Sequence, residues 1–285
     1  MSGLTSSEAK FRSFLDPELA RKIETEGYTV IPLLSSSDIE RVESLYTKHN
    51  PDFTSGWHTD MFSDDLEYRR ITHEVVGRIF ADRLLPLLNG YRFCCGNFVV
   101  KEPSPTSVVP LHQDWTIVDP RMSRSLNVIC PLIETNQVNG QLCVVPGSHH
   151  EPSRISFGPK DELMIEPHIP VIEEKYLRRI NQQPGEALIY DGRVLHGSEA
   201  NRSDRVRVCY SAAFIPEETS LLHYFRDPEH PNLLSIYEIT DDFFWKHELG
   251  KRPDSSYGRL VGTFESENIP ITEAHLSAWA NGASS

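Results

Sequence analysis

Residues 108–119, VVPLHQDWTIVD, contain the stretch that decides the fold of this chain. The stretch is rich in residues that favour β-strands, yet it carries His112 and Asp114 two positions apart. Side chains two apart on a strand point to the same face, so both groups can be directed at one point while Gln113 faces the other way. An imidazole and a carboxylate sharing one strand face indicate a functional site on a β-framework.

The rest of the chain divides into three zones by its periodicity. Residues 1–89 show helical spacing, with a capped helix beginning near Ser35 and a second helix from Tyr68 to about Leu85, while residues 50–65 between them are typical of a loop. Residues 90–216 consist of short β-rich runs. Residues 217–285 are polar with aromatic clusters, for which we expect helices and loops packed on the β-framework. We expect one domain over 1–285, mainly β with flanking helices.

The middle zone predicts its strands from alternating or apolar runs separated by turn residues. Asn139-Gly140 is a strong hairpin dipeptide. Many short strands without clear intervening helices favour a jelly roll or barrel over a parallel sheet. The predicted strands are residues 91–100, 107–118, 125–133, 141–145, 187–190 and 205–214.

Composition excludes several classes of partner. The formal net charge is −13, which disfavours nucleic acid and anionic membrane surfaces because both need a positive footprint. No apolar run has the length of a signal-peptide core or a membrane span, so we expect a cytoplasmic protein. The five cysteines form no CxxC pair, and most lie in apolar runs, which favours buried free thiols over disulfides or a zinc site.

A second histidine completes a candidate metal site. His196 lies in another strand-like run much later in the chain, and a jelly roll brings such distant strands side by side. Two imidazoles and one carboxylate on one face of a metal ion leave positions open, which suits non-haem Fe(II). The chain has another H-x-D triplet, His58-Thr59-Asp60, but it lies in the polar loop without alternation, where nothing directs both side chains to one point.

Three ordered segments carry a family resemblance. VVPLHQDW, SLNVICPLIETNQVNGQLCVVPGSHH and PGEALIYDGRVLHGSEANRSDRVRV resemble, in order and spacing, the phytanoyl-CoA dioxygenase family of Fe(II)/2-oxoglutarate-dependent oxygenases. The resemblance implies a double-stranded β-helix, cupin-like, in which His112, Asp114 and His196 hold Fe(II). It also implies that 2-oxoglutarate and O2 are cosubstrates, and that oxidation of a C–H bond releases succinate and CO2.

The resemblance further implies where 2-oxoglutarate binds. Its distal carboxylate needs a cation, and the family's arginine about eleven positions after the distal histidine corresponds to Arg207; Arg205 is the alternative, and a surface salt bridge is the other role open to Arg207. Ser198, Lys101 and Asn97 match positions near the cosubstrate, although Ser198 could equally make a turn hydrogen bond.

Ile129-Cys130 and His149 lie in the matched segments but are not expected to bind the metal or 2-oxoglutarate through polar groups. Ile129-Cys130 stands where relatives commonly carry tryptophan beneath the cosubstrate. His149 is expected to be structural, because three protein ligands already suffice.

Substrate contacts are expected from aromatic residues near the mouth of the site. The candidates are Trp115, just after the metal ligand, and Trp57, His58 and Phe62 in the polar loop, with help from His223 and Tyr224; ordinary packing would explain the same residues. The expected substrate is a small metabolite, such as an amino-acid derivative or a secondary-metabolite intermediate. Asp114 favours hydroxylation or further oxidation, since related halogenases have a small residue there.

Two other functions stay open from the sequence. One is a cupin-like metal enzyme that does not use 2-oxoglutarate and has no need of Arg207. The other is a catalytically silent binding module that retains the fold.

Overall fold

Thirteen β-strands in three antiparallel sheets form the framework of the described part of the chain. The structure is a computed structural model, and it describes residues 12–49, 56–150, 155–158, 165–248, 250–265 and 271–282. The strands are β1 (Tyr28–Pro32), β2 (Trp57–Thr59), β3 (Tyr91–Lys101), β4 (Val109–His112), β5 (Leu126–Pro131), β6 (Leu142–Val144), β7 (Arg178–Ile180), β8 (Glu186–Asp191), β9 (His196–Ser198), β10 (Arg207–Pro216), β11 (Leu222–Arg226), β12 (Leu233–Ile239) and β13 (Gly258–Glu265).

Two of the sheets pack face to face as a jelly roll, which confirms the predicted fold class. The six-stranded sheet has the order β1-β8-β5-β10-β3-β2, and the four-stranded sheet has the order β4-β9-β6-β7. Alternate side chains of the large sheet point inward, and residues such as Ile129 and Leu188 meet Leu142 and Val144 of the small sheet. The functional cavity lies between these two inner faces.

Helices cover the outer face of the large sheet. Asp16 caps α1 and Asp65 caps α3 through their side-chain carboxylates, as expected for N-cap residues. Phe80 stacks on Tyr210 of β10 with ring centroids 4.4 Å apart, within an extended apolar core. The α-helices are α1 (Pro17–Thr25), α2 (Ser36–His49), α3 (Leu66–Arg70), α4 (Gly77–Leu84), α5 (Ile169–Val171), α6 (Phe243–Lys246) and α7 (Glu273–Gly282); π-helical turns span Ile71–Val76 and Ile172–Tyr176, and 3-10 turns span Asp60–Phe62, Leu85–Leu87, Ser148–His150 and Glu166–His168.

The predicted strand over residues 107–118 was too long. β4 ends at His112, because the following backbone bonds to loops instead of a strand: the Asp114 N–H donates to Gly192 O and the Thr116 N–H donates to Ser156 O. The hairpin predicted at Asn139-Gly140 was also wrong. That turn carries the chain from β5 in the large sheet to β6 in the small sheet, so it joins two layers.

The expectation of helices and loops after residue 217 was wrong in part. β11, β12 and β13 form a separate three-stranded sheet, and alternate residues of β12, such as Tyr237 and Ile239, pack with Phe243 and Phe244 of α6. Polar residues inside these strands obscured the pattern. β2 likewise lies within the predicted loop 50–65, of which residues 50–55 lie outside the described part.

Other expectations can be compared briefly with the structure. All five cysteines are free, and four of them are buried, as predicted. Within the described ranges, no helix has the length and apolar character needed to cross a bilayer. β1 and β2 come from the N-terminal zone and pair with β8 and β3 of the large sheet. The single domain over residues 1–285, with its three zones, stays a prediction.

Candidate metal centre

Antiparallel pairing of β4 with β9 brings three polar side chains together. His112 ends β4, His196 begins β9, and the two are cross-strand partners with ring centroids 4.3 Å apart. Asp114 follows β4, and its carboxylate oxygens lie 3.7 Å from His112 Nε2 and 3.7 Å from His196 Nε2. One ligand atom from each residue lies within 4.8 Å of the other two. The three residues proposed from sequence therefore share one point in space.

Backbone carbonyls orient both imidazoles. His112 Nδ1 lies 2.8 Å from Pro110 O, and His196 Nδ1 lies 3.0 Å from Val194 O. A carbonyl can only accept, so each Nδ1 carries a proton and each Nε2, on the side of Asp114, is the nitrogen available to a metal. Burial lowers the pKa of His196 to about 4, although the Asp114 charge opposes this, so its imidazole is neutral near pH 7. Neutral imidazole is the form that binds metal.

Two buried donors hold the carboxylate of Asp114. Asn127 Nδ2 donates to Asp114 Oδ2 at 2.5 Å, and the Tyr190 hydroxyl donates to the same oxygen at 2.7 Å. Burial alone would raise the pKa of Asp114, but the positive charge that His196 carries below its own pKa and the Tyr190 hydrogen bond outweigh it and hold the pKa of Asp114 well below its ordinary value. Asp114 is therefore an anion near pH 7.

The ligand atoms border a cavity of about 150 Å³ between the two sheets. Its polar lining, besides the three candidate ligands, includes Arg207, Ser198 and Ser211. Its outer part is apolar and aromatic. The outer wall consists of Trp57, Met61, Phe62, Trp115 and Phe157.

Arg207 is a buried cation without an acidic partner. Its exposed fraction is 1%, one of its terminal nitrogens donates to Gly140 O, and its Nε has no hydrogen-bond partner among the described residues. No carboxylate in the described part of the chain forms a salt bridge with it. Gly140 has a φ of 79° and lies so close to the backbone of Glu199 that a larger residue would not fit, which fixes the carbonyl that Arg207 contacts.

The other residues proposed near 2-oxoglutarate have different positions. Asn97 and Ser198 line the cavity. Lys101, the cross-strand partner of Arg207, is fully buried, but its Nζ donates to the carbonyls of Ser198 and Glu199 at 3.1 and 2.5 Å, so it lies behind the cavity wall. Arg205 is exposed and precedes β10, which leaves Arg207 as the cation inside.

Two residues with alternative roles are also placed. Ile129 lines the cavity, while Cys130 is buried in the core on the opposite face of the large sheet. His149 is buried, and its Nε2 lies 3.0 Å from Glu24 O, in keeping with the structural role expected for it.

Three of the four proposed substrate residues line the cavity mouth. Trp57, Phe62 and Trp115 do so, whereas His58 does not, and Asp60 of the second triplet is buried and accepts a hydrogen bond from the Phe98 N–H at 2.5 Å. Among the described residues, neither His58 nor Asp60 belongs to a cluster of metal-ligating side chains.

Residues of the C-terminal sheet support this mouth from outside. His223 stacks on Trp115 with ring centroids 6.1 Å apart, and the Tyr224 hydroxyl donates to Val118 O at 3.3 Å, away from the cavity.

Sequence reasoning missed Asn127, Tyr190, Met61 and Phe157. The sequence does carry a signal for Asn127 and Tyr190. Each is a hydrogen-bonding side chain within a run of buried strand residues, and a buried polar group requires a hydrogen-bond partner. Met61 and Phe157 carry no such signal.

The residues at this centre fit a divalent iron ion. Two imidazole nitrogens and one carboxylate oxygen form the donor set that non-haem iron oxygenases use, and no fourth protein ligand of the kind that a structural zinc site needs joins the cluster within the described residues. The unpaired Arg207 fits a carboxylate ligand in the same cavity.

Comparison with known proteins agrees with this chemistry. Dioxygenase andF of Emericella variicolor is 30% identical over 153 residues, which cover 50% of this chain and 46% of that protein. Dioxygenase trt7 of Aspergillus terreus is 25% identical over 217 residues, covering 72% of this chain and 68% of the relative. The chain thus spans from about half to two thirds of the length of these relatives.

A solved structure shares the fold. HygX from Streptomyces hygroscopicus, crystallised with nickel, 2-oxoglutarate and hygromycin B, has a TM-score of 0.53 and 16% sequence identity, and the match covers 72% of this chain and 88% of HygX. The family model for phytanoyl-CoA dioxygenase (PhyH) matches residues 9–209. The resemblance stated from the sequence is confirmed, and the chain belongs to the phytanoyl-CoA dioxygenase family.

Proposed function

We propose that the protein is an Fe(II)/2-oxoglutarate-dependent dioxygenase that hydroxylates, or further oxidises, an unactivated C–H bond of a small molecule and releases succinate and CO2. The observation that carries this proposal is the pairing of two features in one cavity. Three candidate metal ligands converge on one point, and the buried guanidinium of Arg207, which has no acidic partner among the described residues, lines the same cavity. A metal enzyme without 2-oxoglutarate has no need of the second feature.

In this proposal the chain's residues bind and orient the reactants. His112, Asp114 and His196 hold Fe(II), which supplies the activation of O2 and the oxidative decarboxylation of 2-oxoglutarate when bound. Arg207 pairs with the distal carboxylate of 2-oxoglutarate, and Ser198 lies in the wall beside it as a hydroxyl donor. Both buried imidazoles would bind the metal through Nε2, while their protonated Nδ1 atoms stay bonded to backbone carbonyls.

The lining of the outer cavity favours a narrower class of substrate than the amino-acid derivatives and secondary-metabolite intermediates expected from the sequence. Apart from Asp114 and Arg207, the described residues that line the cavity carry no charge, and the mouth is formed by aromatic and thioether side chains. The zwitterionic head of an amino acid would lose its hydration there without gaining a charged partner, which is costly. We therefore favour an uncharged, carbon-rich metabolite, whose apolar surface would also exclude water from the metal.

Succinate release tests the proposal. Purified protein with Fe(II), 2-oxoglutarate and O2 is incubated with a metabolite extract separated into neutral, acidic and basic pools, and succinate is measured by mass spectrometry. We expect the neutral pool to stimulate turnover most. His112→Ala, Asp114→Ala and His196→Ala should each abolish succinate release with the fold retained by circular dichroism.

His58→Ala is the matched control, because it removes a histidine from the other H-x-D triplet. It should retain iron-dependent turnover. Loss of iron binding in this variant, with retention in the His112 variant, would show that the wrong triplet was chosen. Turnover that does not depend on 2-oxoglutarate would favour the cupin-like metal enzyme, and no turnover with any pool would favour the binding module.

A further inference from the structure

Asp114 is held by two side chains that have no assigned role, Asn127 and Tyr190. We infer that they are positioning residues: they occupy one oxygen of the Asp114 carboxylate so that the other oxygen alone is offered to the metal. This inference rests on the proposed function, because it presumes a metal ion at the three-residue centre.

The register of the large sheet places both residues for this task. Asn127 of β5 and Tyr190 of β8 are cross-strand partners, so their side chains lie next to each other on the same face. Their exposed fractions are 8% and 1%. Both donate to Asp114 Oδ2, at 2.5 and 2.7 Å, although Asp114 belongs to the loop after β4. A side chain of the loop after β4 is thereby fixed by two groups of the large sheet.

The orientation of Asn127 also depends on the carboxylate. Its Nδ2 bonds to Asp114, whereas its own Oδ1 is buried without a hydrogen-bond partner among the described residues. An unsatisfied buried oxygen costs free energy, so the amide is held in this orientation by its charged acceptor. The sequence could have used an apolar residue here, as at Val128 and Ile129 beside it.

The Tyr190 hydroxyl makes a second short approach. It lies 3.3 Å from His196 Nε2, and it has one proton to donate. The shorter bond to the charged Asp114 oxygen is the stronger, so Tyr190 keeps the carboxylate beside the imidazole before a metal arrives. The site is pre-organised by a neutral donor instead of a competing cation.

Two donors on Oδ2 leave Oδ1 as the free oxygen. A carboxylate that binds through both oxygens would take two positions on the metal, and one fewer would remain for a keto acid and O2. Holding Oδ2 with Asn127 and Tyr190 therefore favours binding through Oδ1 alone. Loss of these donors should lower metal affinity and change the coordination of the bound ion, independently of any substrate.

Co(II) binding in the absence of 2-oxoglutarate tests the inference. Metal-free protein is titrated with Co(II) by calorimetry, and the visible absorption of bound Co(II) is recorded. Tyr190→Phe keeps the ring and removes only the hydroxyl, while Asn127→Leu keeps the approximate volume and removes the amide. Each should weaken Co(II) binding by about 10- to 100-fold and alter the absorption spectrum.

Tyr210→Phe is the matched control. Tyr210 is a fully buried tyrosine of β10 whose hydroxyl donates to Thr72 O at 3.0 Å, on the helix-covered face of the sheet. The Tyr210→Phe variant should bind Co(II) with the affinity of the wild type, even if its melting temperature falls. Circular dichroism checks that each variant is folded, and Asn127→Leu carries the test if Tyr190→Phe does not fold.

Two results would overturn the inference in different ways. Wild-type Co(II) affinity and spectrum in folded Tyr190→Phe and Asn127→Leu would show that neither residue positions Asp114, with the proposed function intact. No Co(II) binding by the wild type would remove the metal site itself, and the proposed function would fail with the inference.

Discussion

Replacing Arg207 should separate cosubstrate binding from fold stability. Arg207→Met retains a long side chain and removes the charge and all donors. If Arg207 pairs with the distal carboxylate of 2-oxoglutarate, its loss leaves that carboxylate buried without a partner. Truncating one member of a buried charged pair costs about 2–5 kcal/mol, which corresponds to a rise in Kd for 2-oxoglutarate of about 30- to 5,000-fold.

The same substitution should have the opposite or no effect on the ligand-free protein. There, Arg207 is a buried cation with an unpartnered Nε, and its cross-strand partner is Lys101, another basic residue. Removing an uncompensated buried charge is expected to leave the free energy of unfolding within about 1 kcal/mol of the wild type or to raise it. A residue that served only the fold would give the reverse pattern.

Calorimetry and thermal unfolding measure both effects. The protein is loaded with Ni(II) to prevent turnover, and 2-oxoglutarate is titrated into wild type and variant. At 100 times the wild-type Kd, 2-oxoglutarate should stabilise the wild type by about 2.7 kcal/mol and the variant by much less. Arg205→Met is the control, because Arg205 is exposed just before the same strand. Unchanged affinity in Arg207→Met, or lost affinity in Arg205→Met, would refute the assignment.

Two further predictions concern proton uptake and packing. Burial, followed by the charge of Arg207, lowers the pKa of Lys101 to about 6, so its amine is largely neutral at pH 7.5. A carboxylate bound to Arg207 should offset the charge of that guanidinium, raise the pKa of Lys101 and draw in a proton. Binding heats in phosphate and Tris should therefore differ for the wild type and agree for Lys101→Met; equal wild-type heats would contradict this. Gly96→Ala should destabilise the protein by about 1–3 kcal/mol in urea unfolding, since its Cβ would overlap the Tyr210 hydroxyl. Gly262→Ala, where a Cβ would lie 3.8 Å from Ile236, should change stability less, and an equal loss in both would contradict the packing argument.

The candidate metal centre could be predicted because much of its signal is local. His112 and Asp114 are only two residues apart, so their side chains stay close together although Asp114 lies in the loop after β4 and not on the strand face. His196 lies in a separate apolar run that a jelly roll places nearby. The alternation of polar and apolar residues also located most strands of the large sheet. The same alternation placed the end of β4 too late in the chain. The Asp114 N–H bonds to Gly192 O and not to a neighbouring strand, and this contact depends on where another loop lies.

Asn127 and Tyr190 could not be predicted as partners of Asp114, because their position depends on the register in which β5 pairs with β8. Nothing in the local sequence pairs Asn127 with Tyr190, and shifting β5 against β8 by one residue would turn one side chain away from Asp114. Tyr190 also satisfies the pattern of a strand aromatic, which conceals its hydroxyl. Lys101 shows the converse: alternation places it on the face of Arg207, but its Nζ reaches the carbonyls of Ser198 and Glu199 instead of the cavity.

The family match covers the residues of the metal site, but not the sheet that packs against the aromatic mouth of the cavity. The match ends at residue 209, and the metal ligands and Arg207 lie within it. The mouth, in contrast, is supported from β11 beyond that limit: His223 stacks on Trp115, and Arg226 lies over the Phe157 ring at 4.3 Å. Backing of this kind limits how far the two aromatic rings can move when a ligand binds. The residues proposed to contact the substrate therefore pack against a sheet outside the matched segment, so membership of the family constrains the proposed oxidising chemistry more closely than the identity of the substrate.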